Sequence, residues 1–259
     1  MKEGYRKAVI HSNIQIATNI YELKLSLCHP ETDSINLTLQ ESGFKGKPGQ
    51  FYMLRGWEAL DPFLSRPISI CDISHGMITF LYEVRGKGTH IISKLKPGDA
   101  LELLGPLGNG FDLSLEGTIA IISGGIGIAP MIYLTKELNA NVDFYCGFRN
   151  EVYYIDEIKK YVNNIFISTE DGSFGHKGFI TEIFKPEKYD MVFTCGPLPM
   201  MEVVLKICKD KLPVYMSMEN RMACGIGACL GCTIETISGM KRVCKEGPVF
   251  SGEEVVLNG

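Results

Sequence analysis

Apolar and polar positions change their rhythm near Gly117. Before it the chain reads as short strands, several with alternating apolar and polar residues: 7–15, 20–28, 50–54, 66–72, 77–85 and 100–104. Turn residues such as Lys47-Pro48-Gly49, Lys96-Pro97-Gly98 and Gly105-Pro106 separate them. Short strands spaced in this way predict an antiparallel β-barrel or sandwich. One helix is expected over 89–95, with Thr89 as its N-cap.

After Gly117 the pattern becomes strand, helix, strand. Residues 118–122 form a continuous apolar run, as in a strand buried on both faces. Further strands are expected at 142–148, 165–169 and 190–195, with helices over 131–139, 156–162 and 198–210. Alternation of this kind predicts an open parallel α/β sheet. A third piece begins near Val214, with short strands expected at 233–237 and 255–257. The expected division is therefore 1–113 (barrel), 114–213 (α/β) and 214–259 (a small C-terminal module).

The chain has 259 residues, is 45% apolar and 22% charged, and carries a net charge of −4. That balance is ordinary for a globular protein, and the sign argues against general nucleic-acid binding. No apolar run is long enough to suggest a membrane span, since 118–133 is broken by Gly124, Gly125, Gly127 and Pro130. The start, Met-Lys-Glu-Gly-Tyr-Arg-Lys, has no apolar run behind it, so no secretory signal is expected. Nine cysteines without such a signal fit a reducing, cytoplasmic setting. Cys28, Cys71, Cys146 and Cys208 lie in apolar surroundings and read as small buried hydrophobes.

The chemistry concentrates in Cys224, Cys229, Cys232 and Cys244, a C-x4-C-x2-C-x11-C array. Its first three members have the plant-type spacing for a [2Fe-2S] cluster. Gly225, Gly227 and Gly231 let the backbone curl and turn N–H groups toward the sulfurs. Tetrahedral zinc would use the same four thiolates, although zinc sites more often pair two short C-x-x-C hairpins.

Two glycine turns follow expected strands and open expected helices. They are Ser123-Gly-Gly-Ile-Gly-Ile-Ala-Pro130 and Thr194-Cys-Gly-Pro-Leu-Pro-Met200. In an open parallel sheet both would face the crevice where ligands bind, and a helix N-terminus there suits a pyrophosphate. The barrel supplies Arg66-Pro67-Ile68-Ser69 and the run 81–89, ending in Gly88-Thr89. Arg66 could hold a phosphate with its fork, and Gly88-Thr89 could form a second cradle. Taken singly, each of these has an ordinary structural explanation.

Their order is distinctive. A barrel with Arg-Pro-x-Ser, then Gly-x-Gly-Thr, Gly-Gly-x-Gly-x-Ala-Pro and Cys-Gly-Pro-x-x-Met resembles the ferredoxin–NADP reductase superfamily over about residues 5–210. The superfamily's Arg-x-Tyr-Ser flavin motif has Ile68 at its third position here. Glu219 to Cys232, together with Thr169-Glu-Asp-Gly-Ser-Phe-Gly-His-Lys-Gly-Phe179, extends the likeness to the whole chain. It then resembles the electron-transfer subunits of class 1B dihydroorotate dehydrogenases.

The resemblance implies an FAD-binding barrel, an NAD-binding α/β part and a [2Fe-2S] module. It places Arg66, Pro67, Ile68, Ser69, Leu81, Tyr82, Glu83, Gly88 and Thr89 at FAD, with Arg66 on phosphate and the last two on the pyrophosphate. It places Gly124, Gly125 and Gly127 at the NAD pyrophosphate, and Cys195, Gly196 and Pro197 beside the nicotinamide. The four array cysteines would ligate the cluster. The hydride step would need no side-chain acid or base. The resemblance also implies a separate FMN-containing, dihydroorotate-oxidising catalytic subunit, two copies of each chain, and a place in pyrimidine biosynthesis. NAD is the expected dinucleotide, while Arg149, Lys159 and Lys160 leave NADP open. Other readings are the small subunit of an NADH-dependent ferredoxin–NADP oxidoreductase or sulfide dehydrogenase, a stand-alone flavin reductase, a redox-sensing binding protein, and a structural zinc protein. In the first of these the resembled family uses Asp in place of the first cysteine, which Cys224 opposes.

Overall fold

A computed structural model of the chain describes residues 4–27 and 43–257. Six strands close an antiparallel barrel in the order β1-β2-β5-β4-β3-β6. They are β1 (Tyr5–Ala17), β2 (Ile20–Leu27), β3 (Phe51–Arg55), β4 (Arg66–Ser74), β5 (Met77–Glu83) and β6 (Ala100–Leu107). Alternation fills the interior: Leu23, Leu25, Tyr52, Leu54, Ile70, Ile78, Phe80 and Leu103 are almost wholly buried. Burying a side chain of this size contributes about 1.5–3 kcal/mol. Closure also leaves the barrel with no open sheet edge. β1 is 13 residues long, longer than its apolar alternation suggested, because it pairs with both β2 and β6.

The helix expected over 89–95 is α1 (Lys87–Ile92), which begins two residues earlier. Gly86 is its N-cap, not Thr89. Thr89 sits one turn in, where its Oγ1 accepts the backbone N–H groups of Arg85 and Gly86 at 3.1 and 3.3 Å. It caps the helix from inside, as a capping box does, leaving the end of the helix to glycine.

The second sheet has seven strands: β7 (Thr118–Gly124), β8 (Asn141–Phe148), β9 (Asn164–Thr169), β10 (His176–Lys177), β11 (Met191–Cys195), β12 (Val214–Ser217) and β15 (Val249–Ser251). Their order is β10-β9-β8-β7-β11-β12-β15. All neighbours are parallel except β12 and β15. β7 is buried along almost its whole length, as its apolar run predicts. α2 (Ile128–Glu137) follows β7 through one 3-10 turn, Gly125–Gly127, and so starts three residues before the expected 131. The segment expected as a helix over 156–162 is one α-turn, α3 (Ile155–Ile158), continued as a 3-10 turn, Lys159–Tyr161. α4 (Leu198–Cys208) follows β11.

The segment after 213 gives two strands to this sheet, β12 and β15, which period reading missed because each has only three or four residues. It also forms a hairpin of β13 (Thr233–Thr236) and β14 (Gly239–Arg242). Val255 makes a single bridge to Thr236 where a strand over 255–257 was expected. No helix among the described residues is long and apolar enough to cross a membrane.

Polar contacts hold the barrel against the sheet. Lys136 of α2 pairs with Asp72 of β4 at 2.9 Å, and the Tyr154 hydroxyl donates to Glu22 of β2 at 2.6 Å. Thr18, in the β1–β2 turn, donates its N–H and hydroxyl to the two carboxylate oxygens of Glu151 at 2.6 and 2.8 Å. These contacts fix the walls of the cleft described next.

Candidate functional site

Strand order reverses between β7 and β11, so the loops leaving these adjacent parallel strands open a crevice at their C-terminal ends. Both glycine turns lie there and touch. A Cβ on Gly127 would stand 2.4 Å from the Cys195 carbonyl oxygen, and one on Gly196 would stand 2.8 Å from the Gly124 nitrogen. Only backbone without side chains lets the two turns meet, and the N–H groups at the start of α2 lie beside them. The Cys195 thiol is 1% exposed, and burial pushes its pKa well up. Cys195 therefore offers its backbone to the crevice, not a reactive thiolate.

A cleft runs from this point onto the barrel. Arg66, Pro67, Ile68, Ser69, Leu81, Tyr82, Glu83 and Thr89 all line it, so eight of the nine residues expected at FAD come together. The ninth, Gly88, lies against Arg66: a Cβ there would meet Nε at 2.6 Å and Cζ at 2.7 Å. The Tyr82 side chain turns inward, stacks on Tyr21 with centroids 5.5 Å apart, and donates to Asn13 at 3.0 Å. What Tyr82 presents to the cleft is backbone.

Sequence reasoning missed the other half of the lining. Ile126, Ala129 and Pro130 come from the glycine turn and α2, and Met218, Glu219, Asn220 and Met222 from the segment after β12. All but Met218 belong to motifs already quoted, the glycine turn and the run from Glu219, but neither motif points to the barrel; topology brings them opposite it. Trp57 was missed as well. The Arg66 guanidinium lies 5.6 Å from its ring centroid, within cation–π range. Arg55 in turn ties the Trp57 loop, donating to the carbonyls of Trp57, Ala59 and Phe63 at 2.7–3.0 Å.

The Glu219 carboxyl reaches the open cleft, yet protein crowds it on its other sides. That desolvation raises its pKa, with Arg85 opposing and Glu83 adding to the rise. An apolar floor, an arginine against a bare glycine at a helix start, and a polar rim together suit a flavin dinucleotide. The floor takes a ring and the arginine takes a diphosphate.

Met222 lines the cleft and Cys224 opens the cysteine loop. The four sulfurs fall into two pairs. The Cys229 backbone N–H faces Cys224 Sγ, and the Cys244 backbone N–H faces Cys232 Sγ. Backbone N–H groups point at them. Gly227 N donates to Cys244 Sγ at 3.1 Å, Ala228 N and Cys229 N to Cys224 Sγ at 3.3 and 3.4 Å, and Cys244 N to Cys232 Sγ at 3.4 Å. Desolvation acts to raise the Cys224 pKa, but these N–H groups and Cys229 outweigh it and bring the thiol to about 6. Burial and the neighbouring Cys232 push the Cys244 thiol up to about 12. Cysteine sulfurs met by backbone N–H groups in this way suit a [2Fe-2S] cluster. Cys232 and Cys244 are buried, whereas Cys229 is exposed between Ile226 and Leu230, themselves 54% and 60% exposed. Of the cysteines expected to be inert, Cys71, Cys146 and Cys208 are buried; Cys28 lies outside the described residues.

Residues 219–256 match the model of the iron-sulfur cluster binding domain of dihydroorotate dehydrogenase B. The whole chain is 51% identical over 261 residues to a protein of Clostridium acetobutylicum named dihydroorotate dehydrogenase B (NAD(+)), electron transfer subunit, covering 100% of both. The chain belongs to this family of electron transfer subunits. A relative with the same name from Clostridium perfringens is 45% identical, with 98% of this chain and 99% of the relative covered. The solved structure of an NADH-dependent reduced ferredoxin-NADP oxidoreductase, described in terms of flavin-based electron bifurcation, superimposes with a TM-score of 0.82 at 27% identity. It covers 96% of this chain and 89% of that one. The barrel, the parallel sheet and the cysteine loop thus follow a fold shared with that oxidoreductase. At 51% against 27%, sequence places the chain with the electron transfer subunits instead.

Proposed function

We infer that this chain is an electron transfer subunit of dihydroorotate dehydrogenase B, relaying electrons between a partner catalytic subunit and NAD+ in pyrimidine biosynthesis. The observation that carries the reading is the placing of Met222 in the cleft wall two residues before Cys224. Two residues span at most about 7 Å, so flavin site and cluster loop adjoin. When bound, FAD supplies hydride exchange with the nicotinamide and single-electron exchange with the [2Fe-2S] cluster, chemistry that belongs to the cofactors.

The chain's own residues bind and orient. Arg66 would hold the flavin diphosphate with Gly88 and Thr89, its guanidinium resting against the Trp57 ring. Pro67, Ile68 and Ser69 would meet the flavin, Ser69 near its ring, and the backbone of Leu81, Tyr82 and Glu83 would border the FAD. Gly124, Gly125 and Gly127 admit the NAD pyrophosphate to the start of α2. Cys195, Gly196 and Pro197 border the nicotinamide through their backbone. Cys224, Cys229, Cys232 and Cys244 hold the cluster.

The partner is proposed to be an FMN-containing subunit that oxidises dihydroorotate, with two copies of each chain assembled. The exposed apolar pair around Cys229 supports contact at that point, since an electron must leave over a short distance. A cytoplasmic setting accords with the unpaired buried thiols.

The test is an anaerobic absorption spectrum of the reconstituted chain before and after NADH. Flavin and iron–sulfur bands should both bleach. The purified chain alone should not turn over dihydroorotate; turnover without a partner, or a protein that stays colourless after reconstitution, would overturn the reading.

A further inference from the structure

We propose that Arg242 is a positioning residue for the iron–sulfur centre: through the Gly227–Ala228 peptide it braces the cysteine loop and raises the cluster's reduction potential. This rests on the reading that the four cysteines hold a [2Fe-2S] cluster.

Arg242 ends β14 and begins the turn that carries Cys244. Its Nη1 donates to the Gly227 carbonyl at 2.7 Å. The same peptide unit continues into the Ala228 N–H, which donates to Cys224 Sγ at 3.3 Å. A positive charge on the oxygen end of a peptide polarises the hydrogen at its other end, so the N–H···S bond strengthens. Charge-assisted hydrogen bonds are about twice as strong as neutral ones. The Gly227 N–H meanwhile donates to Cys244 Sγ at 3.1 Å. The N–H groups of Gly227 and Ala228 thus serve a sulfur from each pair, and Arg242 grips the carbonyl of the peptide between them.

The position tolerates little else. Gly227 has φ +81°, and a Cβ there would stand 2.9 Å from the Lys245 Cβ. Arg242 is itself held by both carboxylate oxygens of Glu246: Nε donates to Oε2 at 2.9 Å and Nη2 to Oε1. The Arg242 N–H donates to Glu246 Oε2 at 2.8 Å. Its carbonyl accepts from Lys245 and Glu246 at 3.1 and 2.9 Å. A lysine would keep the charge and lose the planar fork that binds Glu246 and Gly227 together.

The direction of the effect follows from charge. A reduced cluster is one unit more negative, so donors to sulfur and nearby cations stabilise it more than the oxidised form. Hydrogen bonds to the sulfurs and net charge are among the known determinants of cluster potential. A mere staple between two loops would alter cluster retention and leave the potential alone.

The experiment is an EPR-monitored redox titration, with iron and FAD contents, of the reconstituted full chain and its variants Arg242→Gln, Arg242→Lys and Glu246→Gln. At the wild-type midpoint the reduced-to-oxidised ratio of Arg242→Gln should fall about tenfold, which is about 59 mV for a one-electron couple. FAD content should not change, and Arg242→Lys should fall between. Glu246→Gln, which removes the countercharge, should shift the midpoint upward. An unchanged midpoint in iron-replete Arg242→Gln overturns the proposal. If that variant loses its iron, Glu246→Gln decides alone, an upward shift supporting the proposal and no shift overturning it. A wild-type chain with no [2Fe-2S] signal would instead overturn the cluster reading beneath it.

Discussion

Gly88 leaves room for Arg66: a side chain at the start of α1 would collide with the guanidinium at 2.6–2.9 Å. The colliding atoms are the far end of a flexible side chain. Gly88→Ala should therefore leave the fold almost untouched while pushing Arg66 out of the phosphate cradle. FAD affinity should fall at least about tenfold, the scale of one charge-assisted contact. The melting temperature of the flavin-free protein should not move. Titration of apoprotein with FAD and a melt of the same samples check both halves.

Gly127 presents the opposite case, since its Cβ would meet the Cys195 carbonyl, which is backbone, at 2.4 Å. Gly127→Ala should spread the two crevice turns. Overpacking of this kind costs about 1–3 kcal/mol, so the melting temperature should drop. Reduction of bound FAD by NADH should slow far more than reduction by dithionite, which needs no crevice. Stopped-flow absorbance with the two reductants separates these effects.

These contrasts mark how far the sequence could be read. Arg66 and Gly88 stood in a recognisable order along the chain; strand periodicity left barrel and sandwich open, and the resemblance implied the barrel that the closed strand order bears out. Thr89 was legible as a capping residue but misplaced by one turn, because a threonine can cap from N3 as well as from the N-cap. β12 and β15 are too short to show a period, and their strand character lies in their pairing within the sheet. Met218, Glu219 and Met222 could not be assigned to the cleft from local pattern, since only that pairing carries their segment back against the barrel. Arg242 likewise had no motif; its role depends on a contact across 15 residues.

Glu219 provides a test of the cleft's electrostatics. Its carboxyl has a raised pKa in the fold, caused first by desolvation. A carboxylate of this kind costs the folded state nothing below its unfolded pKa, where both states are protonated. The cost grows as pH rises through the folded value and stays at neutral pH. Glu219→Gln should therefore melt higher than the wild type at pH 8, with the difference closing toward pH 4. Flavin-free protein should be used in the melts, so that the cleft remains open. A constant difference across the range would show that Glu219 acts through packing and not through its charge.

Ile226 and Leu230 flank the exposed Cys229 with little charge nearby on the loop. An apolar rim around a redox centre suits a partner surface that excludes water. Aspartate at either position would then be buried on assembly without a countercharge, a cost of a few kcal/mol. Ile226→Asp and Leu230→Asp should each weaken assembly with the catalytic subunit by about a hundredfold or more. NADH-dependent dye reduction by the isolated chain, which needs only the cleft and the crevice, should stay near the wild-type rate. Sedimentation or calorimetry of the mixed subunits, set beside the dye assay, measures both quantities on the same preparations. Equal loss of the two would place these side chains in the stability of the cysteine loop. Loss of assembly alone would place the electron's exit at Cys229.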